Sequence, residues 1–380
     1  MKKALIFDAY DDYSIRIRHI KAALERNGYE VKIFFADFDH VQKRYYVEKR
    51  EDVHYIHTEG YEKNLSVQRL ISHYRFARTC VETAEKQKNV SLIYVMVPPN
   101  SMAKQFAEYK KKHPEVKLWF DVLDMWPESL PVPDRLKKLG KPAFDRWRYY
   151  RDGFLKEADL VTPECDLFRK ELEKHTDINK MERVYLSEQP HFSEHVFDPD
   201  AIHFLYCGSI NHLIDIQLIG EFLWRFRKLK KVTVDIVGGG ENLNEFFLKL
   251  KQINVSYRYH GYVYDEKTKN EIYSRCNYGL NCMKDTVFVG LTMKSMDYLS
   301  HSLPLINNIA MDSSDLVEQR KIGFNISFEN IDQMAAVVSA VTEEQYRNMC
   351  ENVEGVFREN FTTEVIDRKL DEVICRMEKI

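Results

Sequence analysis

Short apolar runs alternate with amphipathic stretches twice along this chain of 380 residues, and this alternation constrains the fold more than any other feature. The run Lys3–Asp8 predicts a buried strand, the apolar stripe over residues 17–24 predicts a helix, and Glu30–Phe35 predicts the next strand. A strand–helix–strand opening favours a parallel sheet with helices on its faces. We therefore expect an α/β protein.

The second alternation begins at His203, so two Rossmann-like halves are expected. Between the halves, Gln189–Asp200 has two prolines and no periodicity, which is typical of a linker. The predicted organisation is a first domain over 1–188, a linker over 189–200, a second domain over 201–360 and a final helix over 361–380. The remaining predictions for the first half are strands at Leu92–Val97, Val116–Asp121, Asp159–Thr162 and Arg183–Leu186, a helix at Ser101–Lys112, and a helix within 135–157 interrupted near Gly140.

Composition excludes several classes of protein. The seven cysteines are an odd number without paired spacing, which indicates a reducing compartment and neither a disulfide framework nor a zinc site. The first apolar run is too short for a signal peptide, and no later segment approaches membrane-spanning length. The net charge of −3, without a nucleic-acid-binding motif, argues against a nucleic-acid partner. We expect a cytoplasmic protein.

The stretch Thr292–Ile306 combines a polar opening, a short predicted helix and a proline-led apolar strand. The start of such a helix presents unpaired N–H groups and a positive dipole end, which suit a diphosphate. Lys294 adds a positive charge in the first turn, and Asp297 offers acceptors for vicinal hydroxyls such as those of a ribose. The alternative is an ordinary helix–turn–strand unit.

Two glycine turns, Gly208-Ser209 and Gly238-Gly239, each follow a predicted strand and precede a helix. Glycine at such a point lets a ligand approach the backbone closely. Neither turn has the spacing of a dinucleotide fingerprint or a P-loop, and a plain strand-to-helix turn is the alternative at both.

The segment Phe120–Ser129 places Asp121, Asp124 and Glu128 directly after a predicted strand, around a Trp-Pro pair. Buried acids without partners are costly, so these side chains are expected to face a cleft. An acid here could accept the proton of an attacking hydroxyl as a general base. The alternative is a salt-bridged strand end in which Glu128 caps a helix.

In order and spacing, these motifs resemble the GT-B-fold retaining glycosyltransferases of the "group 1" family, of the type that builds polysaccharides and lipid-linked saccharides. The motifs that carry the resemblance are the Gly208 turn, IVGGG around Gly238, HGYV ending at Val263, the block from Lys294 to Ile306, and DVLDMWPES from Asp121. The resemblance implies two Rossmann-like domains facing each other across a cleft, with a nucleotide-sugar donor, expected to be UDP-linked, on the second domain. It also implies that the final helix returns to the first domain.

The resemblance assigns roles by position. The donor site would comprise Gly208, Ser209, His212, Gly238, Gly239, Val263, Thr292, Met293, Lys294 and Asp297. The acceptor, a saccharide or a lipid-linked saccharide, would be bound by Arg16, Asp121, Asp124 and Glu128, and the catalytic residues would be Asp124, Asp121 and Lys294. No metal or other cofactor is required, since the nucleotide-sugar is a substrate.

The chain departs from the family pattern at two places. The first acid of the usual pair is replaced by Val289, and the basic pair expected after the Gly208 turn is replaced by Asn211, His212 and Leu213. A protonated His212 could replace part of that charge. These departures motivate a rival hypothesis, a non-catalytic GT-B protein that binds a partner transferase or a saccharide. A sugar-nucleotide epimerase of the same fold is a second rival.

Residues 135–157 are rich in Lys, Arg and aromatic side chains. An amphipathic stretch of this kind can lie on an anionic bilayer, which a lipid-linked acceptor would explain, so peripheral contact with the inner face of the membrane is one expectation. The alternative is a helix whose aromatic side lies in the core.

Overall fold

In the computed structural model, the described residues are 2–10, 14–48, 50–130, 132 and 138–379. They form two compact units. The first comprises the chain up to Ser187 together with the residues from Ile366 onward, and the second comprises Glu188–Val365. Because Ile366 and the residues after it belong to the first unit, the end of the chain contributes to the unit that holds its beginning.

The first unit is built on a parallel six-stranded sheet. Strand β1 lies in the middle and pairs with β2 on one side and β6 on the other, giving the order β5-β2-β1-β6-β7-β8. This is the doubly wound order in which the crossover direction reverses beside the first strand. The strands are β1 (Lys2–Asp8), β2 (Tyr29–Ala36), β5 (Val53–Ile56), β6 (Val90–Val97), β7 (Lys117–Val122) and β8 (Leu160–Pro163), with a small antiparallel pair formed by β3 (Phe38–Asp39) and β4 (Arg44–Tyr45).

Strand β6 and the buried middle of β1, Ala4–Phe7, are almost entirely apolar because helices cover both faces of the sheet, as is usual for parallel strands. The described helices of this unit are α1 (Ser14–Arg26), α2 (Val67–Glu85), α3 (Asn100–Lys112), α4 (Lys141–Asp152), α5 (Asp166–Leu172) and most of α13 (Thr363–Lys379).

The second unit repeats the same strand order. Its parallel sheet runs β11-β10-β9-β12-β13-β14. The strands are β9 (Ala201–Ser209), β10 (Lys231–Gly239), β11 (Ser256–Gly261), β12 (Tyr278–Asn281), β13 (Leu305–Asn307) and β14 (Gly323–Asn325). The helices are α6 (Ile216–Phe226), α7 (Leu243–Gln252), α8 (Glu266–Ser274), α9 (Met293–Ser300), α10 (Asp312–Arg320), α11 (Ile331–Ser339) and α12 (Glu343–Asn360).

Most of the predicted elements are confirmed to within two residues at each end, including the strand at Leu92–Val97 and the helix at Ser101–Lys112. The predicted strand at Arg183–Leu186 is wrong. That segment runs beside β8 and makes isolated backbone hydrogen bonds, such as Val184 N–H to the Pro163 carbonyl at 3.1 Å, but no continuous ladder. The predicted linker, 189–200, lies within the second unit, where Phe192 packs edge-on against Phe357.

Candidate functional site

Helix α9 begins at the carboxyl end of the second sheet and is held there by its N-cap. The Thr292 hydroxyl accepts a hydrogen bond from the Ser295 N–H at 3.1 Å and donates one to the Asn281 side chain, at the end of β12, at 3.1 Å. The Ser295 side chain completes a capping box. The N–H groups of Met293 and Lys294 therefore remain without a partner inside the helix, and the positive end of its dipole faces outward.

Tyr298 fixes the same helix to the central strand of the sheet. Its hydroxyl accepts a hydrogen bond from the Cys207 N–H, near the end of β9, at 2.7 Å. A side chain at position 279 would lie 2.5 Å from the Tyr298 ring, so Gly279 is what allows the ring to sit against β12. The helix start is thus anchored to two neighbouring strands.

Lys294 is a cation with no ion-pair partner among the described residues. Its Nζ lies 3.4 Å from the Tyr206 hydroxyl and 4.8 Å from the centre of that ring. Burial lowers the pKa of the Lys294 ammonium to about 8, against the influence of Cys282 and Cys207, which raise it. A desolvated ammonium beside two open N–H groups attracts an anion more strongly than an exposed lysine does.

The two glycine turns lie side by side. Gly238 pairs with Gly208 and Gly239 with Ser209 in the register of β10 against β9. A side chain at Gly238 would meet the Gly208 carbonyl at 2.2 Å, so this glycine is required by the approach of the two strands to each other. Gly208 has a φ of +115° and open space where a Cβ would lie, which leaves its backbone accessible to a ligand.

Asp297, expected to bind a ribose, is shared between two donors of helix α8. Its carboxylate forms an ion pair with Lys269 at 2.5 Å and accepts a hydrogen bond from the Tyr273 hydroxyl. Its side chain is about one-fifth exposed. In the protein without ligand, Asp297 therefore joins α8 to α9.

His212 and Val263 lie at the borders of this site. The His212 ring nitrogen Nδ1 lies 2.7 Å from Glu241, and both side chains are at least half exposed, so His212 is paired with an acid. Val263 follows β11 and stands between two exposed tyrosines, Tyr262 and Tyr264, whose rings lie parallel at 6.3 Å. A side chain at Gly239 would meet the Tyr262 hydroxyl at 2.9 Å, which places this aromatic pair beside the glycine turn.

The first-unit motif has a different character. Asp121 is fully buried and forms a two-point ion pair with Arg16, at 2.8 and 2.9 Å. The hydroxyls of Tyr94 and Thr162 also donate to the Asp121 carboxylate, and Arg16 donates to the Tyr185 carbonyl at 3.1 Å. Arg16 and Asp121, predicted to contact an acceptor, satisfy each other in the core of the unit, and a contact of either with an acceptor stays a prediction.

Asp124 and Glu128 are likewise engaged. The Asp124 carboxylate accepts hydrogen bonds from the Met125 N–H at 2.7 Å, the Trp126 indole at 2.6 Å and the Ser129 hydroxyl, so it braces its own loop. Burial raises the pKa of Asp124, although these three bonds lower it. Glu128 binds Arg148 at 2.7 Å and Arg151 at 2.9 Å, two residues of α4, and so ties that helix to the loop.

Sequence reasoning missed the partners that decide these roles. Tyr206, Lys269 and Tyr273 carry no local signal, because their positions in a strand and a helix show nothing of which distant acid or cation they meet. Tyr262 was visible only as part of the HGYV motif. An exposed aromatic beside a glycine turn is recognisable only once the strands are assembled.

With this geometry established, comparisons with known proteins identify the class of fold. Residues 248–367 match the family model of the glucosyltransferase 3-like C-terminal domain. A search of curated protein sequences found no match.

Several solved structures resemble the whole chain. Sucrose-phosphate synthase from Thermosynechococcus elongatus has a TM-score of 0.72 at 12% identity, with 100% of both chains covered. The lipopolysaccharide outer core galactosyltransferase WaaB, in its apo form, has a TM-score of 0.69 at 13% identity, again with 100% of both chains covered. HepE from Anabaena has a TM-score of 0.65 at 11% identity, covering 99% of this chain and 100% of that one. The predicted fold class is confirmed: the chain has the GT-B fold of glycosyltransferases.

Proposed function

We propose that this protein is a glycosyltransferase that moves a sugar from a nucleotide-sugar, UDP-linked, to a saccharide or lipid-linked acceptor in cell-surface polysaccharide synthesis. The observation that carries the proposal is the unpaired Lys294 at the start of helix α9. A diphosphate would neutralise that ammonium and accept hydrogen bonds from the Met293 and Lys294 N–H groups. Since the Thr292 N–H is used in the capping box, its role is to hold the helix start.

The choice of UDP is supported by the ligands of similar structures. HepE has been solved in complex with UDP and glucose and in complex with UDP-glucose. The match of residues 248–367 to a glucosyltransferase-like domain points to the same class of donor.

In the reaction, the bond between the sugar and the diphosphate breaks as the acceptor oxygen bonds to the sugar, and the proton of the acceptor hydroxyl passes to an oxygen of the leaving diphosphate. Negative charge then grows on the leaving diphosphate, and a preorganised cation with two N–H groups stabilises that charge without reorganisation. Retention of the anomeric configuration is part of the proposal and rests on the family resemblance. Neither Asp121 nor Asp124 is assigned as a general base, because the carboxylates of both are occupied within the first unit.

Peripheral contact with the inner face of a membrane is a further part of the proposal. Helix α4 buries only Arg151 and Asp152, while Tyr149 is 51% exposed and Leu139, just before the helix, is 82% exposed. Residues 135–137 of the predicted basic stretch lie outside the described residues. Among the described helices, none is long and apolar enough to cross a bilayer.

The proposed membrane contact of helix α4 is tested with anionic vesicles. Reversing the charge of Lys138 and Arg146 to Glu should reduce co-sedimentation with the vesicles, since each basic residue near such a surface contributes about 1 kcal/mol. The matched control reverses Lys86 and Lys88, two exposed lysines elsewhere on the same unit. Equal binding of both double variants and the wild type would refute contact through α4.

The donor site is tested by thermal stabilisation with UDP, GDP, ADP, CMP and their common sugars. A ligand at one hundred times its dissociation constant should stabilise the fold by about 2.7 kcal/mol. We expect a shift with UDP or a UDP-sugar that is lost in Lys294→Met and kept in Lys267→Met, which changes an exposed lysine of α8. No shift with any nucleotide would overturn the proposal.

Val289 and the engaged carboxylates of the first unit favour one rival, a non-catalytic protein that binds nucleotide-sugar. Incubation of a bound UDP-sugar with saccharide and lipid-linked acceptors separates the two. Formation of a glycosylated acceptor supports the transferase, and tight donor binding without any product across those acceptors supports the rival. Conversion of the sugar with no acceptor present would instead indicate an epimerase.

A further inference from the structure

Two cations of the first unit, Lys43 and Arg69, lie together without a carboxylate partner among the residues that the structure describes. Arg69 is in the first turn of α2, and the side chains around it follow the carboxyl ends of β1 and β7. Ligands of open parallel sheets bind at this edge. Arg69 contacts the motif that runs from Asp121 to Glu128 through the Trp126 ring.

The surroundings of Arg69 are those of a buried cation with unused binding capacity. The residue is 4% exposed, and its guanidinium lies 4.3 Å from the centre of the Trp126 ring. It donates to the Asn64 carbonyl at 2.9 Å and to the Tyr10 hydroxyl at 3.3 Å, while Nε has no hydrogen-bond partner. A buried guanidinium normally binds a carboxylate or phosphate with its planar fork, whereas the hydrogen bonds of Arg69 to other described residues reach only neutral groups.

Lys43 converges on the same neighbours. Its Nζ lies 4.6 Å from the centre of the Tyr61 ring. The Arg69 guanidinium lies 5.5 Å from the centre of the same ring. Lys43 also donates to the Asn64 side chain and to the His40 carbonyl. Burial and the charge of Arg69 lower the pKa of Lys43, and Asp39 opposes them. The fold therefore holds two like charges together, an arrangement that an anion would relieve.

The remaining wall is aromatic and neutral. The Tyr10 hydroxyl lies 2.8 Å from Nε2 of His73, and the His73 and Trp126 rings are stacked at 6.1 Å. Burial and Arg69 lower the pKa of His73, which keeps its ring uncharged at neutral pH. Trp126 is half-buried, so part of its indole remains accessible beside Arg69. Apolar ring faces beside charged donors can hold a sugar by its C–H face while the donors bind an attached anion.

We propose that Lys43, Arg69 and Trp126 form a site for an oxyanion, a phosphate or a carboxylate, carried by the sugar acceptor. That the bound molecule is the sugar acceptor rests on the proposed transferase function. The anion site itself is formed by residues of the first unit alone. It is separate from the acceptor site predicted at Arg16, Asp121, Asp124 and Glu128, whose charges pair within the unit.

Calorimetric titration of the whole protein tests the site with four probes: inorganic phosphate, glucose 6-phosphate, glucuronate and glucose. We expect the charged sugars to bind at least tenfold more tightly than glucose. Phosphate alone binding as tightly as glucose 6-phosphate would identify a free-phosphate site, whereas preference for glucuronate would identify a carboxylate site. Equal affinity for glucose and both charged sugars would overturn the proposal.

Three substitutions locate the binding. Arg69→Gln and Lys43→Gln should each weaken the charged probe at least tenfold, and Arg78→Gln, which removes an exposed arginine of the same helix, should leave it unchanged. Unchanged affinity in the first two would overturn the proposal. If Arg69→Gln fails to fold, Lys43→Gln decides the outcome, since its side chain is only half-buried in a loop.

Titration of UDP into the same variants distinguishes a failure of this inference from a failure of the proposed function. UDP binding that survives in Arg69→Gln while the charged sugar is lost supports both. UDP binding without any anion binding at Arg69 refutes only the inference, and anion binding without any nucleotide binding refutes only the donor site.

Discussion

Both charged motifs lie beyond the carboxyl end of a parallel strand, β7 in the first unit and β12 in the second, but their charges meet different partners. In the first unit, Asp121 is enclosed by Arg16 and two hydroxyls, and Glu128 is bound by two arginines. In the second unit, Lys294 meets a tyrosine and no carboxylate of the described chain. One motif is complete as folded, and the other has a charge that a ligand can satisfy.

The difference has an energetic meaning. Buried charges that pair with each other hold the fold in one arrangement, and removing either partner leaves the other without compensation. A buried cation without a partner costs stability in the free protein, and that cost is recovered when an anion binds. Charged residues at a strand end are therefore structural when they pair with each other, and they are available for binding when they have no partner within the protein.

The largest expected effect is on stability, from Asp121→Ala. Leaving Arg16 buried without its carboxylate should lower the free energy of unfolding by about 3–5 kcal/mol, measured by urea denaturation. The control, Asp145→Ala, removes exposed helix pairs with Lys141 and Arg148 and should leave the free energy of unfolding nearly unchanged. If Asp121→Ala lowered the free energy of unfolding by less than about 1 kcal/mol, the first motif would not differ from the second in its contribution to stability.

The next effect is on activity, from Lys294→Met. Removing a preorganised positive group from the leaving diphosphate should lower kcat/KM for the nucleotide-sugar by about 10²–10³-fold, or roughly 2.7–4 kcal/mol. The same variant should unfold at a higher urea concentration than the wild type without ligand, because a buried uncompensated charge is gone. A variant that is both less stable and fully active would show that Lys294 has a structural role like that of Asp121.

Much of this could be predicted from the sequence, for identifiable reasons. The strand and helix periods gave the two parallel sheets, and the opening of α9 was readable because a cap, a cation and an apolar strand follow each other within fifteen residues. Local order of this kind is a property of the chain itself.

The pairing of the charges could not be predicted. Arg16 and Asp121 are 105 positions apart, and Lys269 meets Asp297 only because α8 and α9 pack side by side. Arg69 and Lys43 lie in segments that carried no predicted element or function, and the nineteen-residue helix α2 was not among the predictions. A single sequence contains no record of contacts at such separations, so an acid after a strand looks the same whether an arginine or a substrate will meet it.

The pH dependence of donor binding sharpens the comparison further. Because the pKa of Lys294 is lowered to about 8, the ammonium is charged at pH 7 and loses its proton as the pH rises through 8. We expect the affinity for UDP to fall about tenfold between pH 7 and pH 9.5 in the wild type and to stay flat in Lys294→Met.

Stability should move in the opposite direction over that range. Between the folded pKa near 8 and the unfolded value of 10.5, the unfolded chain binds more protons than the folded one, so the contribution of Lys294 to the free energy of unfolding rises with pH. Calorimetric titration of UDP and urea denaturation at four pH values measure both trends. A pH-independent affinity in the wild type would mean that another group carries the diphosphate charge.

The smallest effect should come from Asp297→Asn, which tests whether this acid is structural, as in the first unit, or a ligand contact. If its main role is to join α8 to α9 through Lys269 and Tyr273, the free energy of unfolding should fall by about 1 kcal/mol, because the pair is partly exposed. The affinity for UDP should then change less than threefold. Titration with UDP and with pyrophosphate separates the two roles, since only UDP has a ribose. A loss of more than tenfold for UDP, with pyrophosphate binding unchanged, would show that Asp297 leaves its helix partners to bind the ribose, and the second unit would then hold an acid as well as a cation that the ligand completes.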